Sequence, residues 1–454
     1  MLKKTQYVHE QKLSDHLLLV NLLTFNFILL SRQDGEHWMN NDLDLLEKKE
    51  SLIAGFFLVE NDEFLLNKSF HCFGNRGNLL PSHVIFITDE CNQSCPYCFE
   101  REVGSLGQIH RSLSTDNIDQ IYKMIEQING GSDCGEIILF GGEPLLKKNK
   151  ETIRYALEHA RQMGLPKLQI VTNGTTIHTY KDIICEYSGQ ISSFIVTLNG
   201  YRSLHEEIRG SQSAPTFDLI INNIKLLLNL LPEIRIQINL LLEERNVDKI
   251  DELLSFLKYE GILGNKHVHL VFGRIQSRTQ PQQEHYPCAL PLETYYSRIF
   301  KNCLHSTLIS DEMISGSELN ILGDIYKHWK SNEFVFPHLR GCEAVYPGRF
   351  CYYVDGEIYP CTEIAGNRSY AIGSFLKGVL YDRKCAQWRQ YSIKDNNKCN
   401  TCKYIGLCGG GCPVTNMEIN ASFFDTYCLH AEKALYQMIN TLYEEGFFDE
   451  CFIL

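Results

Sequence analysis

The chain has 454 residues, of which 44% are hydrophobic, and its formal net charge is −12. This length and composition suit a folded protein of two or three domains and exclude wholesale disorder. The negative charge argues against a nucleic-acid or anionic-membrane partner, because both bind basic surfaces.

Eighteen cysteines are many for a chain of this size. They suit either disulfides in a secreted protein or metal ligands in a reducing compartment. The first residues, MLKKTQYVHEQKL, lack the apolar segment of a signal peptide, and the most apolar stretch, residues 17–30, is too short and too polar to span a bilayer. We therefore expect a cytoplasmic protein whose clustered cysteines bind metal.

The first 77 residues are predicted to form a separate N-terminal α+β domain. Residues 17–30 are rich in β-forming side chains and predict one or two strands, and residues 42–59 show helical spacing. A turn-rich linker around residues 74–78 ends this domain.

Residues 78–275 alternate between strand-like and helical segments, which indicates the α/β class. Strands are predicted at residues 83–88, 136–140, 168–172, 194–198, 235–240 and 267–272. Helices are predicted between them at residues 115–129, 149–163, 216–230 and 247–259. These units predict a partial (β/α)6 TIM-like barrel, in which the loops that follow the strands form the active face.

The alternation stops after residue 275. Residues 276–340 are predicted to be a connector that begins with the polar segment 276–283, and residues 341–454 hold closely spaced Cys, Gly, Pro and Tyr. This composition favours a small C-terminal domain that is stabilised by metal rather than by a large core.

Cys91, Cys95 and Cys98 follow directly on the first predicted strand. Three thiolates within eight residues can bind one iron–sulfur cubane and leave its fourth iron open, and a zinc site with a distant fourth ligand is the alternative. The CxxxCxxC spacing, with Tyr97 before the last cysteine, resembles the signature of the radical S-adenosylmethionine (SAM) superfamily. The resemblance implies a [4Fe–4S] cluster on these cysteines, SAM on its open iron and Tyr97 beside the adenine.

The end of the second strand agrees with this resemblance. Gly141, Gly142 and Glu143 form a motif similar to the family's GGEP sequence, which binds the methionine amino group of SAM. Glycine suits such a loop because it permits a close approach of backbone without a Cβ clash. Taken alone, the motif favours an ordinary turn between a strand and a helix, and its place after the second strand makes it specific.

Three later residues, Thr197, Arg209 and Asn239, are further candidates for contact with SAM. Thr197 keeps the hydroxyl of the family's Ser-x-Asp-Gly motif, whereas Asn199 replaces its acid. Arg209 lies where the family often has an arginine, and its guanidinium suits bidentate contact with the methionine carboxylate. A solvated arginine in a surface helix is the alternative. Asn239, in the fifth strand, is a candidate for the ribose.

A second group of cysteines occupies the C-terminal region: Cys342, Cys361, Cys399, Cys402, Cys408, Cys412 and Cys428. The CxxC spacing suits zinc knuckles equally well. Next to a radical SAM barrel, however, the order of the cysteines resembles the SPASM domain. The resemblance implies one auxiliary [4Fe–4S] cluster on Cys399, Cys402, Cys408 and Cys428, and another on Cys342, Cys361 and Cys412.

The set of Cys342, Cys361 and Cys412, which is the first auxiliary set in chain order, lacks a fourth cysteine. Many SPASM domains have one at the position that Phe336 occupies here. Cys351 or a substrate thiolate are the possible replacements, and simple packing inside a strand is the alternative for Cys351.

The resemblance, which covers residues 82–430, implies cleavage of SAM to a 5′-deoxyadenosyl radical that abstracts a hydrogen from a peptide or protein. A flavodoxin- or ferredoxin-type reductant would supply the electron. One branch of the family oxidises a Cys or Ser of sulfatases to formylglycine and carries an Asp general base at the position of Thr362. Thr362 is a poor base, and no other catalytic side chain is indicated.

The N-terminal domain resembles, faintly, the leader-binding domains of ribosomal-peptide (RiPP) maturases, although a simple extension that caps the barrel is the alternative. We therefore predict a maturase that forms a thioether or carbon–carbon crosslink in a precursor peptide. Maturation of a folded protein such as a sulfatase is the second hypothesis, and a non-catalytic Fe–S electron carrier is the third.

Overall fold

A computed structural model describes residues 2–63, 65–67, 69, 80–100, 111–209, 214–275, 286–314, 321–339, 342–345 and 348–450. The chain divides into two compact units. The terminal unit comprises Met1–Gly77, Leu290–Gly341 and Ser392–Leu454, and the barrel unit comprises Asn78–Ala289 and Cys342–Tyr391. The predicted linkers at residues 74–78 and 276–283 lie outside the described residues, and the finer division into four domains stays a prediction.

The barrel unit is built on a ten-stranded sheet. Six of its strands are parallel and follow one another in sequence: Ser82–Phe86, Ile137–Phe140, Leu168–Thr172, Ile191–Leu198, Arg235–Leu242 and Val268–Arg274. The helices between them are Thr115–Asn129, Lys150–Gln162, Lys181–Glu186, Ser203–Arg209, Phe217–Leu230 and Ile250–Tyr259. The predicted six-strand barrel-like fold is confirmed, with two short helices, Lys181–Glu186 and Ser203–Arg209, that were not predicted.

Local sequence explains where these elements begin and end. Ser114 caps helix Thr115–Asn129 in a capping box with Asn117, and Gly130 ends the helix in a left-handed conformation. In strand Arg235–Leu242 every second residue is fully buried and the residues between are half-buried. One face of the strand is thus buried in the core, while the face that carries Asn239 is more accessible.

The sheet continues beyond the first strand. Arg349–Tyr352 pairs in parallel with Ser82–Phe86, and Glu357–Tyr359, Gly373–Ser374 and Val379–Leu380 follow in antiparallel order. Arg349–Tyr352 and Glu357–Tyr359 form a hairpin directly before Cys361. Helix Asp382–Arg389 ends this segment.

The terminal unit contains a three-stranded antiparallel sheet of Val8–Lys12, His16–Asn21 and Phe27–Ser31. The prediction of one or two strands within residues 17–30 is confirmed, and the structure has two. The helical prediction for residues 42–59 is wrong at its end, because only Lys49–Ala54 is α-helical and Leu58–Val59 pairs with Lys3–Lys4. Strand Val8–Lys12 and helix Arg32–Asn40 were not predicted.

The remaining helices of the terminal unit are Leu292–His305, Ile321–Ser331, Ile405–Cys408, Pro413–Asn420, Ala431–Glu444 and Phe447–Glu450. The first and the fifth of these pack together, with a hydrogen bond of 2.9 Å between the hydroxyls of Ser297 and Thr441. Within the described residues, every helix is too short or too polar to cross a bilayer.

Candidate active site

The first cysteine loop leaves the carboxyl end of strand Ser82–Phe86. The backbone N–H of Cys98 donates to the carbonyl of Cys95 over 3.2 Å, and that of Gln93 donates to Sγ of Cys91 over 3.4 Å. Burial raises the pKa of the Cys91 thiol to about 12, and the nearby thiol of Cys95 adds to the shift. Three thiols that are neighbours in one loop fit a metal cluster, because cluster iron supplies the positive charge that stabilises thiolates away from water.

The glycine loop after the second strand packs against the cysteine loop. Gly141 and Gly142 have positive φ angles of 90° and 39°. A Cβ on Gly142 would lie 2.1 Å from the carbonyl oxygen of Glu90, so a larger residue would push the two loops apart. The close approach of the cysteine loop therefore requires glycine at these positions.

The same loop is held by a carboxylate that was not among the predicted site residues. The backbone N–H of Gly142 donates to Oε2 of Glu100 over 2.8 Å. Burial raises the pKa of Glu100 to about 7. A glutamate two residues after a cysteine carries no distinctive spacing, so the sequence offered no signal for it.

Glu143 is fully buried and accepts three hydrogen bonds. The donors are the Thr172 hydroxyl at 2.7 Å, the Asn173 backbone N–H at 2.6 Å and the Leu145 backbone N–H at 2.9 Å. Burial raises the pKa of Glu143, and these hydrogen bonds oppose the shift. Its carboxylate therefore joins the loops after the second and third strands, and its predicted contact with SAM stays a prediction.

Arg209 is only 7% exposed, so it is not a solvated surface arginine. Its Nε and Nη2 donate to Oε1 of Gln93 over 3.1 and 2.6 Å, and its Nη1 donates to the Tyr97 hydroxyl over 3.0 Å. Asn199 also donates to that hydroxyl, over 2.9 Å. The structure thus brings Arg209, Tyr97 and Asn199 together beside the cysteine loop, and adds Gln93, which was not predicted.

Thr197 and Asn239 lie opposite each other on neighbouring strands. Asn239 accepts a hydrogen bond of 2.7 Å from the side chain of Gln237, two residues earlier on the same strand. Both residues are half-buried. Their roles toward SAM stay predictions.

Two cysteines of the predicted first auxiliary set, Cys342 and Cys361, belong to the barrel unit, whereas Cys412 belongs to the terminal unit. Burial lowers the pKa of Arg349, but Glu343 and the thiols of Cys351, Cys361 and Cys342 outweigh it and raise that pKa. Cys351 is fully buried in a core cluster, where it fits the packing alternative. This ligand set stays a prediction.

The predicted second auxiliary set lies wholly within the terminal unit: Cys399, Cys402, Cys408 and Cys428. Burial raises the pKa of Cys408 to about 12, and the thiols of the other three cysteines add to the shift. The four thiols are therefore neighbours, and their donor set fits a cubane.

This second cysteine loop rests on the N-terminal sheet of the same unit. Nδ1 of His9 is hydrogen-bonded to the Tyr404 hydroxyl at 2.9 Å, and Nζ of Lys403 donates to the Val8 carbonyl over 3.3 Å. A Cβ on Gly406 would lie 2.3 Å from the carbonyl oxygen of Leu22. Strand Val8–Lys12 therefore contacts the loop between Cys402 and Cys408.

Two further potential ligands stand next to Cys428 and were not predicted. Sγ of Cys428, a ring nitrogen of His430 and a carboxylate oxygen of Glu432 lie within 4.8 Å of one another. Nδ1 of His430 is 3.1 Å from the Glu432 carboxylate. The alternating Cys-x-His-x-Glu spacing was the signal available in the sequence.

Residues 85–257 match the family model described as the Radical SAM superfamily. This segment holds the first cysteine loop and the glycine loop, and it is a radical SAM domain. The radical SAM cyclopropyl synthase TigE of Paramaledivibacter caminithermalis is 32% identical over 113 residues, which cover 22% of this chain and 24% of TigE. The chain spans between 13% and 63% of the length of four curated relatives that it matches, TigE among them.

Two solved structures share the fold over most of the chain. The anaerobic sulfatase maturase anSMEcpe, with AdoMet and the Cp18Cys peptide bound, has a TM-score of 0.59 at 16% identity and covers 81% of this chain and 98% of its own. The RiPP maturase SuiB of Streptococcus suis, bound to precursor peptide SuiA, has a TM-score of 0.56 at 17% identity and covers 94% of this chain and 99% of its own. At these identities the likeness shows the shared fold.

Proposed function

We propose, starting from the radical SAM domain of residues 85–257, that this chain is a peptide maturase. A [4Fe–4S] cluster on Cys91, Cys95 and Cys98, together with SAM, would supply a 5′-deoxyadenosyl radical. The modification is a thioether or carbon–carbon crosslink in a ribosomally made precursor peptide. The two auxiliary cluster sites and a flavodoxin- or ferredoxin-type reductant belong to the same proposal.

The observation that carries the SAM part of the proposal is that segments after the second, third and fourth strands converge on the cysteine loop that follows the first strand. Hydrogen bonds connect residues 90–100 to the glycine loop, to Asn173 and to Arg209, and Asn173 in turn donates to Glu143. The chain's own residues fix the three thiols and place a buried guanidinium beside them. A buried cation there suits an anionic group such as the methionine carboxylate.

The N-terminal sheet supports a peptide substrate. Within the described residues, strand Phe27–Ser31 pairs with a strand on one side only, so its other edge is open to an extended peptide. A mainly apolar cavity of about 900 Å³ lies in the same unit and is lined by Leu23, Ile53, Phe56 and Val335 among others. A cavity of this kind suits the apolar side chains of a leader. SuiB, whose fold covers 94% of this chain, was solved with its precursor peptide.

The sulfatase hypothesis receives less support from the site. Thr362, on the short turn Thr362–Ile364, stands where that branch has its general base. An electron carrier without catalysis would not need the glycine loop or the open three-cysteine site.

Anaerobic incubation of the reconstituted protein with SAM, reductant and a candidate precursor peptide tests the proposal. A peptide product lighter by two hydrogens is expected for a crosslink. An unchanged mass would indicate epimerisation instead, and conversion of a Cys or Ser in a folded sulfatase to formylglycine would favour the second hypothesis. Absence of 5′-deoxyadenosine would rule out all three enzymatic outcomes.

Leader binding is best tested by a point variant, because deletion of residues 1–75 would also remove strand Val8–Lys12 from the second cysteine loop. Ile53 lines the cavity and is 39% exposed, so Ile53→Glu should leave the fold intact and weaken peptide binding about tenfold, through the loss of one apolar contact. Met39→Glu is the matched control, because Met39 is 48% exposed and is not part of the cavity lining. Equal peptide affinity of the two variants in calorimetry would contradict leader binding at this cavity.

A further inference from the structure

Asn173 occupies an unusual place next to the first cysteine loop. It follows strand Leu168–Thr172 directly and is 6% exposed. Its Nδ2 is 3.8 Å from Sγ of Cys91 and donates to Oδ1 of Asn92 over 2.8 Å. A side-chain amide is thus directed at a thiol that the site assigns to the cluster.

The orientation of this amide is determined by a backbone donor. Oδ1 of Asn173 accepts from the backbone N–H of Thr175 over 2.9 Å and from the Thr175 hydroxyl over 2.6 Å. A backbone N–H can only donate, so the atom facing Thr175 is the oxygen and the atom facing Cys91 is the NH₂ group. The hydrogen bond to sulfur therefore runs from Asn173 to Cys91.

The backbone of Asn173 makes a second connection. Its N–H donates to the carboxylate of Glu143 over 2.6 Å. One residue therefore contacts both the cysteine loop and the glutamate of the glycine loop. Because these bonds are buried, they constrain the two loops more strongly than solvent-exposed bonds would.

We propose that Asn173 is a positioning residue for the radical-generating cluster: its amide donates a hydrogen bond to the Cys91 sulfur and thereby raises the reduction potential of the cluster. A donor at a ligand sulfur stabilises the more negative, reduced state, so its removal makes the cluster harder to reduce. This inference rests on the proposed function, because it takes Cys91 as a cluster ligand.

Two variants remove the hydrogen-bond donor to Cys91 while keeping the backbone of residue 173. Asn173→Asp keeps the shape but replaces the donor with an acceptor of negative charge, and Asn173→Ser removes the reach to sulfur without adding charge. The matched control is Asn223→Ala. Asn223 is 2% exposed and donates to the backbone carbonyls of Gly174 and Thr175, so it supports the same loop without any contact to Cys91.

The experiment is a redox titration of the reconstituted full-length protein, followed by electron paramagnetic resonance. The signal that changes when SAM is added identifies the cluster on Cys91, and its midpoint potential is then measured without SAM. We expect a more negative potential in N173S, a still more negative one in N173D, and a wild-type potential in N223A. SAM affinity should remain unchanged in N173S, because the backbone bond to Glu143 is kept.

The alternative results are distinct. Wild-type potentials in N173S and N173D would overturn the role of Asn173 and leave the proposed function standing. An equal shift in N223A would also overturn it, because the effect would then come from the loop as a whole. A wild-type protein without a SAM-sensitive cluster would overturn the proposed function and this inference together.

Discussion

The two cysteine loops, one in each compact unit, are built in different ways. In the barrel unit three cysteines lie within eight residues and are supported by the ends of neighbouring strands, which the parallel sheet brings together. In the terminal unit the cysteines are spread over residues 399–428. Tyr404, within this loop, is hydrogen-bonded to His9, which lies 395 residues earlier in the sequence. The first loop thus depends on the local motif and its sheet, and the second depends on a contact between distant parts of the chain.

Removing one ligand from each loop gives the largest expected effects. Cys91→Ala should abolish SAM cleavage and remove about four of about twelve irons, since a cubane contains four. Cys428→Ala should lower the iron content by the same amount but retain cleavage of SAM. Iron analysis and chromatography of 5′-deoxyadenosine measure both. If the single variant Cys428→Ala also lost SAM cleavage, the two loops would not function independently.

The contrast between the loops explains what the sequence could predict. The six barrel strands follow from apolar runs, and the helix predicted from its spacing at residues 115–129 has those bounds because Ser114 and Gly130 cap its ends. The cluster role of Cys91, Cys95 and Cys98 was predicted from their spacing and from the resemblance, and it stays a prediction. The side chains that join neighbouring loops, such as Gln93 and Glu100, have no spacing signal, because only the sheet brings them to their partners.

Strand Val8–Lys12 is an element that the sequence alone could not predict. Its sequence, VHEQK, is short and mostly polar, and Val8 is its only residue of the β-branched kind that predicts strands. It forms a strand because it pairs with His16–Asn21, and His9 and Gln11 are buried because Tyr404 and Asn440 satisfy them. Tertiary contacts decide both features, so the support of the second loop was not predictable.

The barrel unit should lose stability in acid through a buried histidine. Burial lowers the pKa of His83 from 6.5 to about 4, and the fully buried ring is hydrogen-bonded to Tyr352 and Asn129. As the pH falls, His83 is therefore protonated in the unfolded chain before it is protonated in the folded protein. The stabilisation by its neutral ring is complete above pH 6.5 and is lost as the pH falls toward 4. The loss should reach about 3 kcal/mol.

Urea unfolding of the wild type and of His83→Gln between pH 7 and pH 4 measures this contribution. The variant should be less stable at neutral pH and should show a shallower decrease in acid. His205, whose pKa burial also lowers, to about 3, is unchanged in both proteins and cancels in the difference. Parallel pH curves for the two proteins would contradict the assignment to His83.

The smallest effect concerns the contact between the N-terminal sheet and the second cysteine loop. His9→Phe and Tyr404→Phe each remove one partner of a partly buried hydrogen bond, and their coupling in a double-mutant cycle should be about 1 kcal/mol. Ser14→Ala and Tyr443→Phe are the matched control pair, because their hydroxyls form an exposed hydrogen bond in the same unit. Coupling no larger than in the control pair would show that the sheet does not stabilise the loop.

The most direct test of the central claim is isotope transfer from the substrate to the product of SAM cleavage. A deuterated precursor peptide is incubated with the reconstituted protein, SAM and reductant, and the 5′-deoxyadenosine is analysed by mass spectrometry. We predict deuterium in 5′-deoxyadenosine from the wild type and no 5′-deoxyadenosine from Cys91→Ala. Unlabelled 5′-deoxyadenosine from a fully deuterated, modified peptide would contradict hydrogen abstraction from the peptide.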